Sequence, residues 1–428
     1  MNKKMSFMLF TMDYPPFSVY GVERHNERLA SYLSSKGYFT VVFTRGYKNP
    51  VGSHFENKNM LVYRVPSLCM MLAHSKLLRF LLRFRYLYLI LRYIPVVEYT
   101  LHSIFYAPII VKKYGIGLIH GSEATFGGWQ ATLVSFMARR QLVITLHGYI
   151  VDYYSNYNKL PLTYYFLKSA SAVIVQKTSA IKTLVKWGIP RNKIFYIEEG
   201  AIDIERFKPS LSYIKRPKRY VTFVGRLIEF KGPELLIEAV PQIIKVKADV
   251  EFLLVGEGDL RSKLEEKIRD LNLNSKVHFL GIVSNVESVL QQTDVFVSLS
   301  PYNNFSDLAM LEAMACGIPI VATNSGETHK TIKDGWNGLL IEPGNAKQLS
   351  EKILYILNNP DFGKKIGENA RKTVIKDYSL EKFGKRILNV FHRAREFSIT
   401  FLEKMSSTQR TVRSSAPVIE RSEIFDEK

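Results

Sequence analysis

The feature that most limits what this chain can become is an alternation that stops and restarts. Short apolar runs rich in β-branched and aromatic residues are separated by longer stretches of helical spacing. In the first half the strand-like runs are MSFMLFTM (5–12), FTVVFT (39–44), MLVYRV (60–65), IGLIH (116–120), QLVITL (141–146) and AVIVQ (172–176). All are apolar on both faces, as parallel strands covered by helices on two sides must be. Between the first two, VERHNERLASYLSSKG has helical periodicity and closes on Gly37. Residues 207–219, FKPSLSYIKRPKR, are rich in Pro and Lys and read as a linker. The pattern then resumes with YVTFVG, VEFLLVG, KVHFLG, DVFVSLS and IPIVAT. This predicts an α/β fold of two doubly wound domains in tandem, facing a central cleft at their strand ends. The expected division is 1–205, a linker 206–219, 220–378, and a terminal helix 379–404 read from SLEKFGKRILNVFHRAREF. Residues 405–428 lack periodicity and are expected to be disordered.

A length of 428 residues fits two domains, and a 46 % hydrophobic fraction excludes general disorder. The two cysteines, Cys69 and Cys316, lie too far apart in sequence for a metal or disulfide spacing and point to a reducing compartment. MNKKMSFMLFTMDYPP starts as a signal peptide would, but it lacks an adequate apolar stretch and a small-residue cleavage site, so it reads as a first buried strand. The net charge of +20 is uneven: residues 1–205 carry 25 basic against 11 acidic side chains. A polyanion is therefore expected to meet the first half.

Residues 68–114 break the alternation. They are dense in Leu, Tyr, Phe and Arg, and Lys76, Arg79, Arg83, Arg85 and Arg92 interrupt what would otherwise be a membrane span. Pro95, Glu98 and Pro108 interrupt the remainder. The reading favoured is a membrane-associating insertion whose helices lie on an anionic surface, each basic residue contributing roughly 1 kcal/mol. The alternative is a helix pair packed on its own domain with snorkelling arginines.

Three stretches in the second half could carry chemistry. In YVTFVGRLIEFKGPELLIEAV (220–240) a strand ends at Gly225, a loop carries Arg226 and Lys231, and a helix opens at Gly232-Pro233. Free amides, the positive dipole end and two cations suit a diphosphate, although such a pair is also often a solvated edge. VGEGDLRSKLEEKI (255–268) places a glycine turn at the same sheet edge without the full dinucleotide spacing. In SPYNNFSDLAMLEAMACGIPIVAT (300–323), Ser306 or Asp307 can cap a helix that starts near Leu308. That helix carries one charge, Glu312, able to accept two ribose hydroxyls or simply to face water.

The order of these pieces resembles the donor-binding half of the retaining GT-B glycosyltransferases of the group one family (family four): VGRL…KG, LLVGEG, VHFLG, DVFVSLSPY, LEAMACGIPIVAT, then DGWNGLLIEPGN. The first half agrees in YPPFSVYGVERHNERLASYLSSKGYFTVVFT, TLHG (145–148) and EEGAIDIERFKP (198–209). The resemblance spans roughly residues 5–400 and implies two Rossmann-like domains in the GT-B architecture. It further implies that Arg226 and Lys231 hold the donor's diphosphate as it leaves, and that Glu312 binds the ribose. His147 would contact the transferred sugar, and Gly21 would let its loop approach the donor. The amides of Phe305, Ser306 and Asp307, at the start of the helix containing Leu308, would bind sugar hydroxyls.

Four positions depart from the family pattern. Asn304 stands where a second glutamate is usual, Asp307 where a flexible glycine is common, Tyr20 where the opening glycine pair begins, and His329 where an acidic residue is usual. Asn304 can hydrogen-bond a sugar hydroxyl but cannot offset developing positive charge. No Asp-x-Asp pair occurs, so no metal and no cofactor is expected, and the nucleotide-sugar is a co-substrate. The expected activity is a retaining transfer to a membrane-borne, lipid-linked acceptor, with the enzyme peripheral on the cytoplasmic face and no nucleic-acid partner. Other readings are a nucleotide-sugar epimerase, a pyridoxal-dependent phosphorylase, a nucleic-acid binder, and a binding protein with a degenerate sugar site.

Overall fold

The computed structural model describes residues 4–15, 21–46, 51–67, 85–123, 127–147, 161–210, 217–302 and 307–396; side chains in the helices starting at 85 and 161 are described from 94 and 163. Two sheets form. The first has eight strands: β1 (Phe7–Phe10), β2 (Thr40–Gly46), β3 (Gly52–Asn57), β4 (Met60–Pro66), β5 (Leu118–Ser122), β6 (Gln141–Leu146), β7 (Ala172–Val175) and β8 (Ile194–Tyr196). Their order is β3-β4-β2-β1-β5-β6-β7-β8, and only β3 runs antiparallel. The second sheet, all parallel, has six: β9 (Arg219–Val224), β10 (Val250–Val255), β11 (Val277–Gly281), β12 (Val295–Ser298), β13 (Ile320–Thr323) and β14 (Leu339–Ile341). They are ordered β11-β10-β9-β12-β13-β14.

Strand order reverses beside β1 and β5 in one sheet and β9 and β12 in the other. The carboxyl ends at such switch points are where open α/β sheets receive ligands. Helix α1 (Gly21–Ser35) follows β1 and buries His25, Leu29 and Leu33, a spacing of four that places them on one face. The chain crosses between domains twice, and the two crossings pair: Ile202 N donates to Tyr378 O over 3.0 Å, and Leu380 N to Ile202 O over 2.9 Å. The helix over residues 380–396 then returns to the first domain. Phe383, Ile387, Val390 and Phe391 pack in one core with Phe7, Leu9, Leu29 and Leu33.

Residues 68–84 lie outside the described residues, but α2 (Arg85–Tyr114) corrects one part of the sequence reading. Pro95 and Pro108 do not end the helix, which runs 30 residues through both. Each proline removes one backbone donor, yet Tyr99, Ala107, Ile110 and Val111 hold this helix in the first domain's core. Tyr99 Oη donates to Phe43 O over 2.8 Å, next to the end of β1. Thus Ile94–Tyr114, long and apolar enough by length and composition to span a bilayer, has one face built into the protein.

Candidate active site

The second domain's edge is shaped by backbone approaching backbone. Gly232, at φ +65°, precedes α3 (Pro233–Val246), and a side chain there would collide with the Leu299 carbonyl just past β12. Gly256, at φ +134°, would collide likewise with the Gly225 carbonyl. The loop 225–232 is therefore clamped between the ends of β10 and β12, and it carries both Arg226 and Lys231. Proline at the first position of α3 needs no amide partner. Lys231 is partly exposed, and its Nζ lies 3.4 Å from Asp307 Oδ2.

Asp307 stands at the N-cap of α4 (Leu308–Ala315) but makes no side-chain cap bond. Its carboxylate turns toward Ser298 Oγ and Lys231 instead, so the capping role expected of it is not what its side chain does. Asn304, Phe305 and Ser306 lie outside the described residues. Leu308 opens the helix, and a Cβ on Gly21 would reach its Cδ1 at 3.9 Å, ordinary contact. Close packing within the described residues thus gives no reason for glycine at 21. It does bring the starts of α1 and α4 together, one from each domain.

Glu312 does not face water. Its Oε1 accepts a very short hydrogen bond from Arg28 Nη2 of α1, and both side chains are 13 % exposed. Burial pushes the Glu312 carboxyl up, while Arg28 and then Arg206 draw it back and Asp307 adds to the rise. A second contact between the domains lies nearby. Glu327 Oε1 accepts from Thr178 Oγ1 at 2.5 Å, and Lys330 Nζ pairs with Glu327 at 2.8 Å.

His147 sits just past β6, buried, with both ring nitrogens engaged. Nε2 is 3.0 Å from Ser122 Oγ, and Nδ1 is 3.0 Å from Gln176 Oε1. The His25 ring meets it edge-on at 4.8 Å between centroids. Burial lowers His147 to about 4 and His120 to about 3, and it holds His25 well below the ordinary histidine value. All three rings are neutral near pH 7. His25, His147 and Glu199 bring metal-ligand atoms within 4.8 Å of one another. With both His147 nitrogens hydrogen-bonded, the cluster stands as a polar network.

Two family models cover nearly all of this framework. Glycosyltransferase Family 4 matches residues 19–206, and Glycosyl transferases group 1 matches residues 206–373. The chain belongs to the group 1 glycosyltransferases. An uncharacterised glycosyltransferase of Methanocaldococcus jannaschii is 28 % identical, over 92 % of this chain and 99 % of its own. A phosphatidylinositol N-acetylglucosaminyltransferase protein of Arabidopsis thaliana is 26 % identical, over 89 % of this chain and 80 % of its own. The fold is also that of Anabaena HepE, crystallised with UDP-glucose, at a TM-score of 0.69 and 19 % identity, over 91 % of this chain and 100 % of that one.

As a group 1 glycosyltransferase the chain is a nucleotide-sugar-dependent enzyme of GT-B architecture, as its sequence leads one to expect. Sequence reasoning missed Arg28, Thr178 and Glu327. Arg28 is three residues past His25 and beside Leu29, so the helical spacing that predicts a buried stripe also puts Arg28 at its border.

Sequence reasoning missed Glu123 as well. It lies just past β5 with a φ of 72°. Burial, with Glu23 and Asp13 close by, raises its carboxyl to about 7.

Proposed function

We propose that this glycosyltransferase moves a sugar, with retention of anomeric configuration and without a metal, from a nucleotide-sugar to a lipid-linked acceptor at the cytoplasmic face of a membrane. In this reading Arg226, Lys231 and the start of α3 stabilise the leaving diphosphate by fixed charge. Glu312 takes the ribose, and His147, held neutral, offers the sugar a hydrogen bond rather than a charge. The acceptor hydroxyl attacks on the face that the diphosphate leaves, so no enzymic nucleophile is required. HepE was crystallised with UDP-glucose, and the name of the Arabidopsis relative gives it a phosphatidylinositol acceptor; both fit this scheme.

The observation that carries the membrane reading is the outer face of α2. Ile94, Val97, Leu101, Phe105 and Ile109 are exposed at three- and four-residue intervals, Phe105 by 67 % and Ile109 by 65 %. They form an apolar stripe roughly 22 Å long at 1.5 Å per residue. Lys112 and Lys113 follow on the same helix, both exposed. Helix α5 (Gly128–Ala138) is tied to α2 by Gln130 Nε2 donating to Thr100 Oγ1 over 2.8 Å. It ends in Phe136, 84 % exposed, and then Arg139 and Arg140. Apolar side chains flanked by cations fit an anionic bilayer surface.

The test is incubation of radiolabelled UDP- and GDP-sugars with the enzyme and extracted membrane lipids, followed by organic extraction and NMR of the product anomer. Lipid-bound label with the donor's anomeric configuration is expected. Inverted product, or label passing only to water-soluble acceptors, contradicts the proposal.

A further inference from the structure

Glu312 is the residue on which nucleotide recognition turns in the reading above, yet a carboxylate so enclosed is costly to keep charged. The cation that offsets this cost comes from the other domain. Arg28 donates through Nη2 to Glu312 Oε1, whereas Glu312 Oε2 makes no hydrogen bond among the described residues. Arg28 Nη1 is buried without a partner there. The charged and titratable groups around the carboxylate are Arg28 on α1, Arg206 in the first crossing between domains, and Asp307 and Cys316 on either side along its own helix. Arg206 is committed elsewhere, with two bonds to Glu287 of 2.9 and 2.8 Å. That leaves Arg28 as the hydrogen-bonded counter-charge.

We propose that Arg28 is a positioning residue of the nucleotide site: it holds one oxygen of Glu312, keeps the carboxylate ionised, and presents the other oxygen to the ribose hydroxyls. Because Arg28 rides on the first domain and Glu312 on the second, tight nucleotide binding requires the two domains to stay together at this point. An apolar or neutral side chain at 28 leaves a buried carboxylate unpaired, and such a group takes up a proton rather than remain charged. The proposal rests on Glu312 as the ribose ligand.

The experiment is titration of UDP, GDP and ADP into wild type, Arg28→Gln, Arg28→Lys and Glu312→Gln by calorimetry from pH 6 to 9, following the tightest-bound nucleotide. Arg28→Gln is expected to weaken binding about tenfold at neutral pH, and its affinity should fall off at a pH about one unit above the wild-type value. Arg28→Lys should restore most of both. Glu312→Gln should bind weakly with no carboxylate titration.

In Arg28→Gln/Glu312→Gln, which leaves no buried unpaired charge and serves if Arg28→Gln does not fold, affinity should match that of Glu312→Gln. Loss in Arg28→Gln that is equal at every pH and not rescued by lysine marks a structural role and overturns the proposal. Unchanged or tighter binding in Arg28→Gln, alongside loss in Glu312→Gln, overturns it too, but leaves Glu312 as the ribose ligand. Full binding by Glu312→Gln removes the ribose reading, and this proposal with it.

Discussion

Lys231 Nζ stands 3.4 Å from Asp307 Oδ2, and Ser298 Oγ donates to the same oxygen over 3.2 Å. One carboxylate thus joins the loop after β9, the end of β12 and the start of α4. It holds the lysine at the strand ends, where a leaving diphosphate is proposed to sit. Fixed cations of this kind act on charge that develops in the transition state more than on the bound ground state. Arg226→Ala and Lys231→Ala are each expected to lower kcat by about 10²–10³, with a smaller change in donor affinity. Steady-state kinetics beside nucleotide titrations separate the two effects.

The buried histidines make a pH prediction. His120 and His147 have folded values near 3 and 4, below the ordinary 6.5, so the unfolded chain takes up protons that the native state refuses. Their contribution is whole above about pH 6.5 and is lost as pH falls toward 4. Each should cost about 2 kcal/mol of stability by pH 5, from 1.36 kcal/mol per pH unit. Urea melts should show a falling midpoint between pH 7.5 and 5, with a shallower fall in His120→Gln.

Gly256 is fixed by geometry rather than by chemistry. At φ +134°, with the Gly225 carbonyl where a side chain would be, Gly256→Ala must move the Arg226 loop or strain its own backbone. A loss of stability above about 2 kcal/mol is expected, together with weaker nucleotide binding. Gly335 has a φ of +74° but open space within 4 Å of where a Cβ would stand, so Gly335→Ala should cost backbone strain alone.

The exposed stripe predicts the opposite combination, function lost without stability. Phe105→Ser/Ile109→Ser removes two apolar side chains that the core does not use. Sedimentation with vesicles containing anionic lipid should fall several-fold while the melting temperature is unchanged or raised. Binding that persists would remove α2 from the membrane reading.

Much of the fold was legible because buried parallel strands must be apolar on both faces. QLVITL lies on β6 residue for residue. The strand β3 was missed because GSHFEN is exposed and mostly polar, an edge strand whose pairing is made by its neighbour β4. Likewise Ile194–Tyr196 and Leu339–Ile341 are too short to give a period. The cations of the 225–232 loop could be picked out because glycine, cation and proline mark a strand-to-helix turn. Arg28 could not, since nothing in a sequence pairs residue 28 with residue 312. Only the meeting of α1 and α4 does so.

The most direct measurement is release of nucleoside diphosphate from UDP-, GDP- and ADP-sugars, with and without extracted membrane lipids, by wild type, Arg226→Ala and Glu312→Gln. Release from one donor, stimulated by lipid and lost in both variants, is the predicted result. Release that is indifferent to lipid and survives both substitutions would contradict a donor site built from the 225–232 loop and Glu312.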